Sequence, residues 1–245
     1  GVLVWAVLCA LGAWGPAGEW PDEDGPLVNI VLIYVDDLGW RDLGVQGSTY
    51  YETPNIDRLA AEGMRFTNAY ANAPNCAPSR AALMSGQYAP RTGVYTVGSA
   101  ARGRAPDRKL VPVENQTELD LGVVTIAEAL SDAGYVTGHV GKWHLGLNFG
   151  KREDGTSLDF NKPVKDHPGT RGFDNSYIIP ASLDFPPYVY IQNGRVTNPV
   201  TVEQPAQKFP AFLRKGPRSE DLVMEDCLDD LLSQATGFIR RQSAK

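Results

Sequence analysis

The sequence predicts an α/β fold with a central, mostly parallel sheet that is flanked by helices. Residues 28–35 form a nearly continuous run of apolar and β-branched side chains, which is typical of a strand buried on both faces. Helix signals follow at residues 53–63 and 125–134, and an apolar segment at residues 135–140 predicts another strand. This alternation of strand and helix patterns indicates one large α/β domain.

Length and charge limit the classes of function that the chain can have. Its 245 residues include 23 Lys and Arg against 29 Asp and Glu, which gives a formal net charge of −6. Because no basic patch stands out, we do not expect a nucleic-acid partner. The three cysteines, Cys9, Cys76 and Cys227, do not form a disulfide framework. Cys227 falls on the apolar stripe of a helix predicted over residues 219–241, so we expect it in the core.

Residues 1–18 are predicted to be a secretory signal peptide whose charged amino-terminal region is missing. Residues 2–14 are apolar, but they are shorter than the roughly 20 residues that a membrane-spanning helix needs. Small residues at positions 15, 17 and 18 suit cleavage after this segment. We therefore expect no stable membrane span, and an exported location that is secreted, periplasmic or lysosome-like.

The predicted first strand ends in two adjacent acidic residues, Asp36 and Asp37. Ligands of open α/β sheets bind beyond the carboxyl ends of the strands. Two neighbouring carboxylates repel each other, and a bound divalent cation offsets that repulsion. The alternative explanation of this pair is a turn followed by a helix cap.

Residues 74–86 are the stretch around which the rest of the chain is organised, and they read Pro-Asn-Cys-Ala-Pro-Ser-Arg-Ala-Ala-Leu-Met-Ser-Gly. Pro78 suits the first turn of a helix and Gly86 suits its end, so Cys76 is expected at or just before the helix amino terminus. The amides of that terminus favour an anion, and Arg80 lies one turn further on. Taken alone, the two residues are also compatible with a buried cysteine and a surface arginine.

Lys142 and His144 follow the strand predicted at residues 135–140. They alternate with Trp143, so an extended backbone would direct both side chains to the same side. A lysine offers a point charge to an anionic group, and a histidine can donate a hydrogen bond or transfer a proton. The alternative is that both are surface residues. His139 is interpreted as structural.

These motifs resemble those of the type I sulfatases, which depend on formylglycine. Residues 76–86 are similar to the first family signature, Cys-x-Pro-Ser-Arg followed by an apolar pair and Gly, and residues 134–144 are similar to the second. The resemblance implies an alkaline-phosphatase-like sulfatase fold. It covers nearly the whole chain, but residues 19–245 would be only the amino-terminal part of the family's catalytic domain, so the fold would be incomplete at its carboxyl terminus.

The resemblance also implies the chemistry of a sulfuric ester hydrolase of the arylsulfatase type. A formylglycine-generating enzyme or an equivalent maturase would oxidise Cys76 to formylglycine, whose hydrate would attack the sulfate ester. Asp36, Asp37 and residue 76 would bind Ca²⁺, and Arg80 and Lys142 would bind the substrate sulfate. The residues that the resemblance assigns to catalysis are Cys76, Arg80, Lys142 and His144.

Two other functions stay open at this point. One is a phosphoester or phosphonate hydrolase of the alkaline phosphatase superfamily, and the other is a non-catalytic, truncated product. The family has later metal ligands and a further His and Lys, and no counterpart occurs before Lys245. We therefore expect the 245-residue piece to bind metal weakly and to show little activity by itself. Aryl sulfates, sulfated glycans and sulfolipids all remain possible substrates.

Overall fold

A computed structural model describes residues 28–243, so the predicted signal peptide at residues 1–18 lies outside the described part. Five α-helices and six β-strands are assigned in these residues. The helices are α1 (Pro54–Glu62), α2 (Cys76–Ser85), α3 (Ala89–Thr92), α4 (Ile126–Asp132) and α5 (Cys227–Ser243). The strands are β1 (Gly138–Lys142), β2 (Asn175–Ile179), β3 (Ile191–Gln192), β4 (Arg195–Val196), β5 (Val202–Gln204) and β6 (Gly216–Arg218).

The described strands form a four-stranded sheet in the order β1-β2-β3-β4 and a separate pair, β5-β6. Strands β1 and β2 are parallel, with Gly138 beside Asn175 and Lys142 beside Ile179. Strands β3 and β4 add antiparallel pairs, as does the β5-β6 ribbon. The α/β fold class is confirmed, and the sheet in residues 28–243 is mixed.

Helix α4, which precedes β1, begins at a capping box. Thr125 caps α4 by accepting from the Glu128 amide at 3.1 Å, and the Glu128 carboxylate accepts from the Thr125 amide at 2.7 Å. This is the capping box predicted from the sequence.

Gly172 has a φ of 85° and packs against the backbone of Glu128, where an added Cβ would approach within 2.3 Å. Glycine is therefore required at the turn before β2.

The buried side chains form two clusters. The larger one packs the faces of α2 and α4 against the sheet around Trp143, Phe173 and Ile178. The smaller one includes Tyr188, Tyr190, Leu222, Cys227 and Leu231, through which α5 packs on β1 and β2. Cys227 is buried, which confirms its predicted place in the core.

The prediction of a buried strand at residues 28–35 is wrong for the described structure. These residues make only an isolated bridge at Ile30, and the side chains of Val28, Ile30 and Ile33 are 47%, 50% and 44% exposed. A central strand needs hydrogen-bonded neighbours on both edges, and residues 28–243 do not provide a regular ladder here. The segment instead lines an apolar cavity of about 320 Å³ together with β1 and α5.

Within residues 28–243, none of the helices is both long enough and apolar enough to cross a bilayer.

Candidate active site

Helix α2 places Cys76 at its first position. The side chain of Asn75, the N-cap residue, does not cap the helix but donates to Thr96 Oγ1 at 3.0 Å. Residues 77–82 are buried, whereas Cys76 is only partly buried and carries a free thiol. The helix ends at Gly86, whose φ of 64° lies in the left-handed region. The predicted position of Cys76 at a helix amino terminus is confirmed.

Arg80 lies one turn after Cys76, and its side chain is only 1% exposed. One guanidinium nitrogen donates to the carbonyl oxygen of Lys142 at 2.8 Å, and another donates to Asp36 Oδ2 at 3.2 Å. The guanidinium carbon also lies 5.2 Å from the centre of the Tyr34 ring. Burial lowers the pKa of Arg80 and the charge of Asp36 opposes that shift, so the guanidinium remains protonated.

Lys142 ends strand β1 and directs a second cation to the same carboxylate. Its side chain is 3% exposed, and Nζ donates to Asp36 Oδ2 at 2.7 Å. Burial alone would raise the pKa of Asp36, but the hydrogen bond and charge of Lys142, together with Arg80, hold it below its usual value. Asp36 is therefore ionised at neutral pH and joins two buried cations. The contacts from Arg80 and Lys142 both end on Oδ2 of Asp36, and neither of them involves Oδ1.

His144 follows Lys142 after a sharp change of backbone direction. Its φ of 60° lies in the left-handed region, and its amide donates to the carbonyl oxygen of Pro180 at 2.9 Å. The ring centre lies 5.7 Å from that of Phe185, and Nδ1 is buried with no hydrogen-bond partner among the described residues. Burial, then the positive charges of Lys142 and Arg80, lower the pKa of His144 to about 4. The imidazole is therefore neutral at neutral pH.

His139 is structural, as predicted. Its ring is fully buried, with Nε2 3.3 Å from the Lys142 carbonyl oxygen and its centre 5.2 Å from both the Trp143 and Phe173 rings. Burial holds the pKa of His139 well below its usual range. His139 and Arg80 thus share the Lys142 carbonyl and fix the end of β1.

One cavity of about 880 Å³ connects several of these groups with the carboxyl-terminal part of the chain. Asp36, Asp37 and Lys142 contribute to its lining. Asp37 is exposed and adopts a left-handed turn conformation with a φ of 54°. The structure therefore joins Asp36, Arg80 and Lys142 by direct contacts and adds Asp37 through the cavity. Cys76 interacts electrostatically with Arg80 of this group. His144 interacts electrostatically with Lys142, Arg80 and Asp36.

Sequence reasoning missed two features of the site. The hydroxyl groups of Tyr34 and Ser79 form a short hydrogen bond, which ties the residue before Arg80 to the segment that leads to Asp36. The only signal for Tyr34 was a phenol inside an otherwise apolar run. Arg214 forms an ion pair with Asp184 at the cavity wall, and no local pattern connects residues that are 30 positions apart.

The acidic residues of the site offer part of a metal-binding shell. Two adjacent carboxylates, Asp36 and Asp37, provide the oxygen ligands that Ca²⁺ prefers. They are part of a shell, because Ca²⁺ takes about six to eight oxygens. Among residues 28–243, no group of three or more His, Cys, Asp or Glu side chains is arranged to hold a metal ion. The residues present therefore fit one side of a calcium site.

Comparisons with known proteins identify relatives of this chain. The chain is 40% identical over 179 residues to an N-acetylgalactosamine-6-O-sulfatase of Bacteroides thetaiotaomicron, covering 71% of this chain and 32% of that protein. It is 35% identical to the N-acetylgalactosamine-6-sulfatase of Canis lupus familiaris, covering 98% of this chain and 41% of that protein. The chain thus spans about a third to two fifths of the length of these relatives.

A solved structure from work on the metabolism of multiple glycosaminoglycans by Bacteroides thetaiotaomicron superposes with a TM-score of 0.64 and 31% identity. The superposition covers 84% of this chain and 46% of that one, and the shared α/β architecture is the alkaline-phosphatase-like fold of sulfatases. The family model described as sulfatase matches residues 28–242, which is most of the chain. This chain therefore belongs to the sulfatase family.

Proposed function

We propose that this chain supplies the amino-terminal part of the active centre of a sulfuric ester hydrolase. The observation that carries the proposal is the convergence of Arg80 and Lys142 on Asp36, one helical turn from Cys76. Arg80 and Lys142 carry two positive charges against the two carboxylates of Asp36 and Asp37. A bound divalent cation would therefore give the site the excess positive charge that suits the anionic oxygens of a sulfate ester.

Arg80 and Lys142 bind the sulfate oxygens and hold the ester in place. Because both side chains are almost fully buried and anchored, they require little reorganisation when substrate binds. His144 is neutral at neutral pH, so its imidazole can accept a proton during turnover. The phosphate-ester alternative is not favoured by any contact described above, and it becomes an outcome of the experiment below.

Two further groups belong to the proposed site. A formylglycine-generating enzyme or an equivalent maturase would convert Cys76 to formylglycine, the aldehyde would add water to form a geminal diol, and one hydroxyl of that diol would be the nucleophile. Ca²⁺, when bound, lowers the pKa of a hydroxyl group that it contacts, and Asp36 and Asp37 would hold it together with residue 76. The partial exposure of Cys76 supports access to that position.

The relatives suggest the substrate class. Both curated relatives described above are named for the 6-sulfate of N-acetylgalactosamine. We infer that the full-length protein containing this chain removes a 6-O-sulfate from an N-acetylgalactosamine unit. The predicted signal peptide supports an exported location for this activity.

The test is a comparison of ester hydrolysis by the full-length protein, produced together with a formylglycine-generating enzyme. We expect kcat/KM for 4-nitrophenyl sulfate to exceed that for 4-nitrophenyl phosphate, and Cys76→Ala to abolish the sulfatase activity. Cys227→Ala, which removes the buried thiol of α5, is the matched control and should retain activity. A preference for the phosphate ester, or full activity of Cys76→Ala, would overturn the proposal.

A further inference from the structure

The cavity that contains Asp36 and Lys142 is much larger than a sulfate group. Its volume of about 880 Å³ lies within the range of roughly 300–1,000 Å³ that is typical of sites for complete small-molecule ligands. Sulfate has only five heavy atoms, so this space also has room for the alcohol part of the ester. The remaining wall should therefore reveal what kind of alcohol it binds.

Polar groups of that wall suit a molecule with several hydroxyl and amide groups. Asp184, Gln204 and Gln207 contribute a carboxylate and two carboxamides, and Phe212 contributes an aromatic ring that is 54% exposed. Carboxylates and carboxamides bind hydroxyl and acetamido groups, while an exposed aromatic face covers the C–H surface of a sugar ring. Both carboxamides already donate to backbone carbonyl oxygens, Gln204 to Pro205 at 3.3 Å and Gln207 to Ala211 at 3.2 Å, and a saccharide hydroxyl could donate to their side-chain oxygens.

Asp184 is held in place before any ligand arrives. Arg214 donates to the Asp184 carbonyl oxygen at 3.0 Å and forms an ion pair with Oδ2 of the same residue. The guanidinium carbon lies 4.0 Å from the centre of the Phe185 ring and 5.0 Å from that of Phe212. Because the ion pair engages Oδ2, it leaves Oδ1 to accept a hydrogen bond from a ligand.

The backbone of Arg214 is also fixed. The buried Tyr188 hydroxyl donates to the Arg214 carbonyl oxygen at 2.6 Å and accepts from the Arg214 amide at 3.1 Å. Tyr188 is itself held by backbone bonds to Pro217 and Ser219, with distances of 2.9 Å each. The backbone of Arg214 is therefore anchored to a buried residue, while the side chains of the ion pair are 42% exposed at Arg214 and 31% exposed at Asp184.

Phe185 connects this wall to the candidate active site. Its ring centre lies 4.0 Å from the guanidinium carbon of Arg214 and 5.7 Å from the ring centre of His144. We propose that Asp184, fixed by Arg214, and Phe212 form a subsite that binds the saccharide part of a sulfated glycan. This inference rests on the proposed function, because it assigns the alcohol side of the same substrate.

The experiment compares two sulfate esters in the full-length, matured protein. One is a 6-O-sulfated N-acetylgalactosamine disaccharide, and the other is 4-methylumbelliferyl sulfate, which lacks the sugar. In Asp184→Asn, the ratio of kcat/KM for the saccharide to kcat/KM for the aryl sulfate should fall about tenfold or more, as expected for loss of a hydrogen bond to a charged group. Phe212→Leu should lower the ratio in the same direction, and it serves if Asp184→Asn fails to fold.

The matched control is Glu203→Gln, which makes the same change of acid to amide. Glu203 forms an exposed ion pair with Lys215 at 2.8 Å and is not part of the cavity wall, so the ratio should stay at the wild-type value. An equal loss on both esters in Asp184→Asn and Phe212→Leu, or no loss on either, would overturn the subsite.

A second measurement separates this inference from the proposed function. Binding of the unsulfated N-acetylgalactosamine disaccharide to the wild-type and Asp184→Asn proteins is measured by calorimetry. Binding that weakens about tenfold in Asp184→Asn supports the subsite even if the wild-type protein hydrolyses no sulfate ester. If the protein hydrolyses both sulfate esters and the affinity for the saccharide is unchanged in Asp184→Asn, the subsite is contradicted and the proposed function stays intact.

Discussion

His144 should remain neutral well into the acidic range. With a pKa of about 4, about 90% of its side chains are neutral at pH 5, against about 3% for an ordinary histidine with a pKa of 6.5. The causes are burial and then the charges of Lys142 and Arg80. Lys142→Met should therefore raise the pKa of His144. In a lysosome-like compartment, this difference decides whether the side chain can still accept a proton.

The same shift makes a prediction about stability. Well above pH 6.5, His144 carries no proton in either the folded or the unfolded state; between pH 6.5 and pH 5, the unfolded state gains a proton while the folded state stays mostly neutral. Stability is therefore lost on acidification, and His144 accounts for about 2 kcal/mol between pH 7 and pH 5. His144→Asn should reduce the acid-induced loss by about that amount, measured by urea unfolding at the two pH values.

The direct assay is a proton NMR titration of the three histidines, with His144→Asn used to assign the resonance. We expect the His144 signal to titrate near pH 4 and to move upward in Lys142→Met. A midpoint near 6.5 in the wild-type protein would refute the reasoning, because it would mean that neither burial nor the two cations act on the imidazole.

Three further predictions concern the groups around the site. Arg80→Lys should lower kcat/KM for a sulfate ester by about a hundredfold or more, since lysine cannot reproduce the two directed contacts; a loss below about threefold would argue against the role. Asp36→Asn leaves two buried cations without their carboxylate and should reduce the free energy of unfolding by about 3–5 kcal/mol in urea, whereas a change below about 1 kcal/mol would contradict the ion-pair account. Thr125→Ala removes the cap of α4 and the 2.8 Å bond to the Arg171 carbonyl, at a cost of about 1–2 kcal/mol by thermal unfolding, and Thr125→Ser should recover most of it.

Local patterns predicted the elements that depend on nearby residues. The capping box at Thr125 and the helix amino terminus at Cys76 both arise from contacts within a few positions, so the sequence was sufficient to predict them. The short strand before Lys142 was also found, although its observed range begins three residues later than predicted. These are cases in which backbone preference and side-chain chemistry agree.

The segment at residues 28–35 shows where a local pattern is insufficient. An apolar, β-branched run states that a segment can be a buried strand, but strand formation depends on neighbours elsewhere in the chain. Such neighbours are not supplied in regular form by residues 28–243. Local composition therefore predicted the preference correctly and the pairing incorrectly.

Residues of the site were predicted from the sequence only where they belong to a motif. Asp36, Arg80 and Lys142 were singled out individually, but their shared contact at Asp36 Oδ2 joins residues up to 106 positions apart. The Asp184–Arg214 pair had no motif at all, because a surface aspartate and an arginine 30 residues apart are common in any sequence. Long-range pairs of this kind become visible only when the fold brings them together.

The most direct test of the central claim is mass spectrometry of the tryptic peptide spanning residues 66–80, which contains Cys76. The full-length protein should be produced with and without a formylglycine-generating enzyme, and its sulfatase activity measured on the same samples. We predict that the peptide loses mass by conversion of the thiol to the aldehyde, and that activity rises in proportion to the converted fraction. An unmodified thiol in a fully active protein would contradict the account.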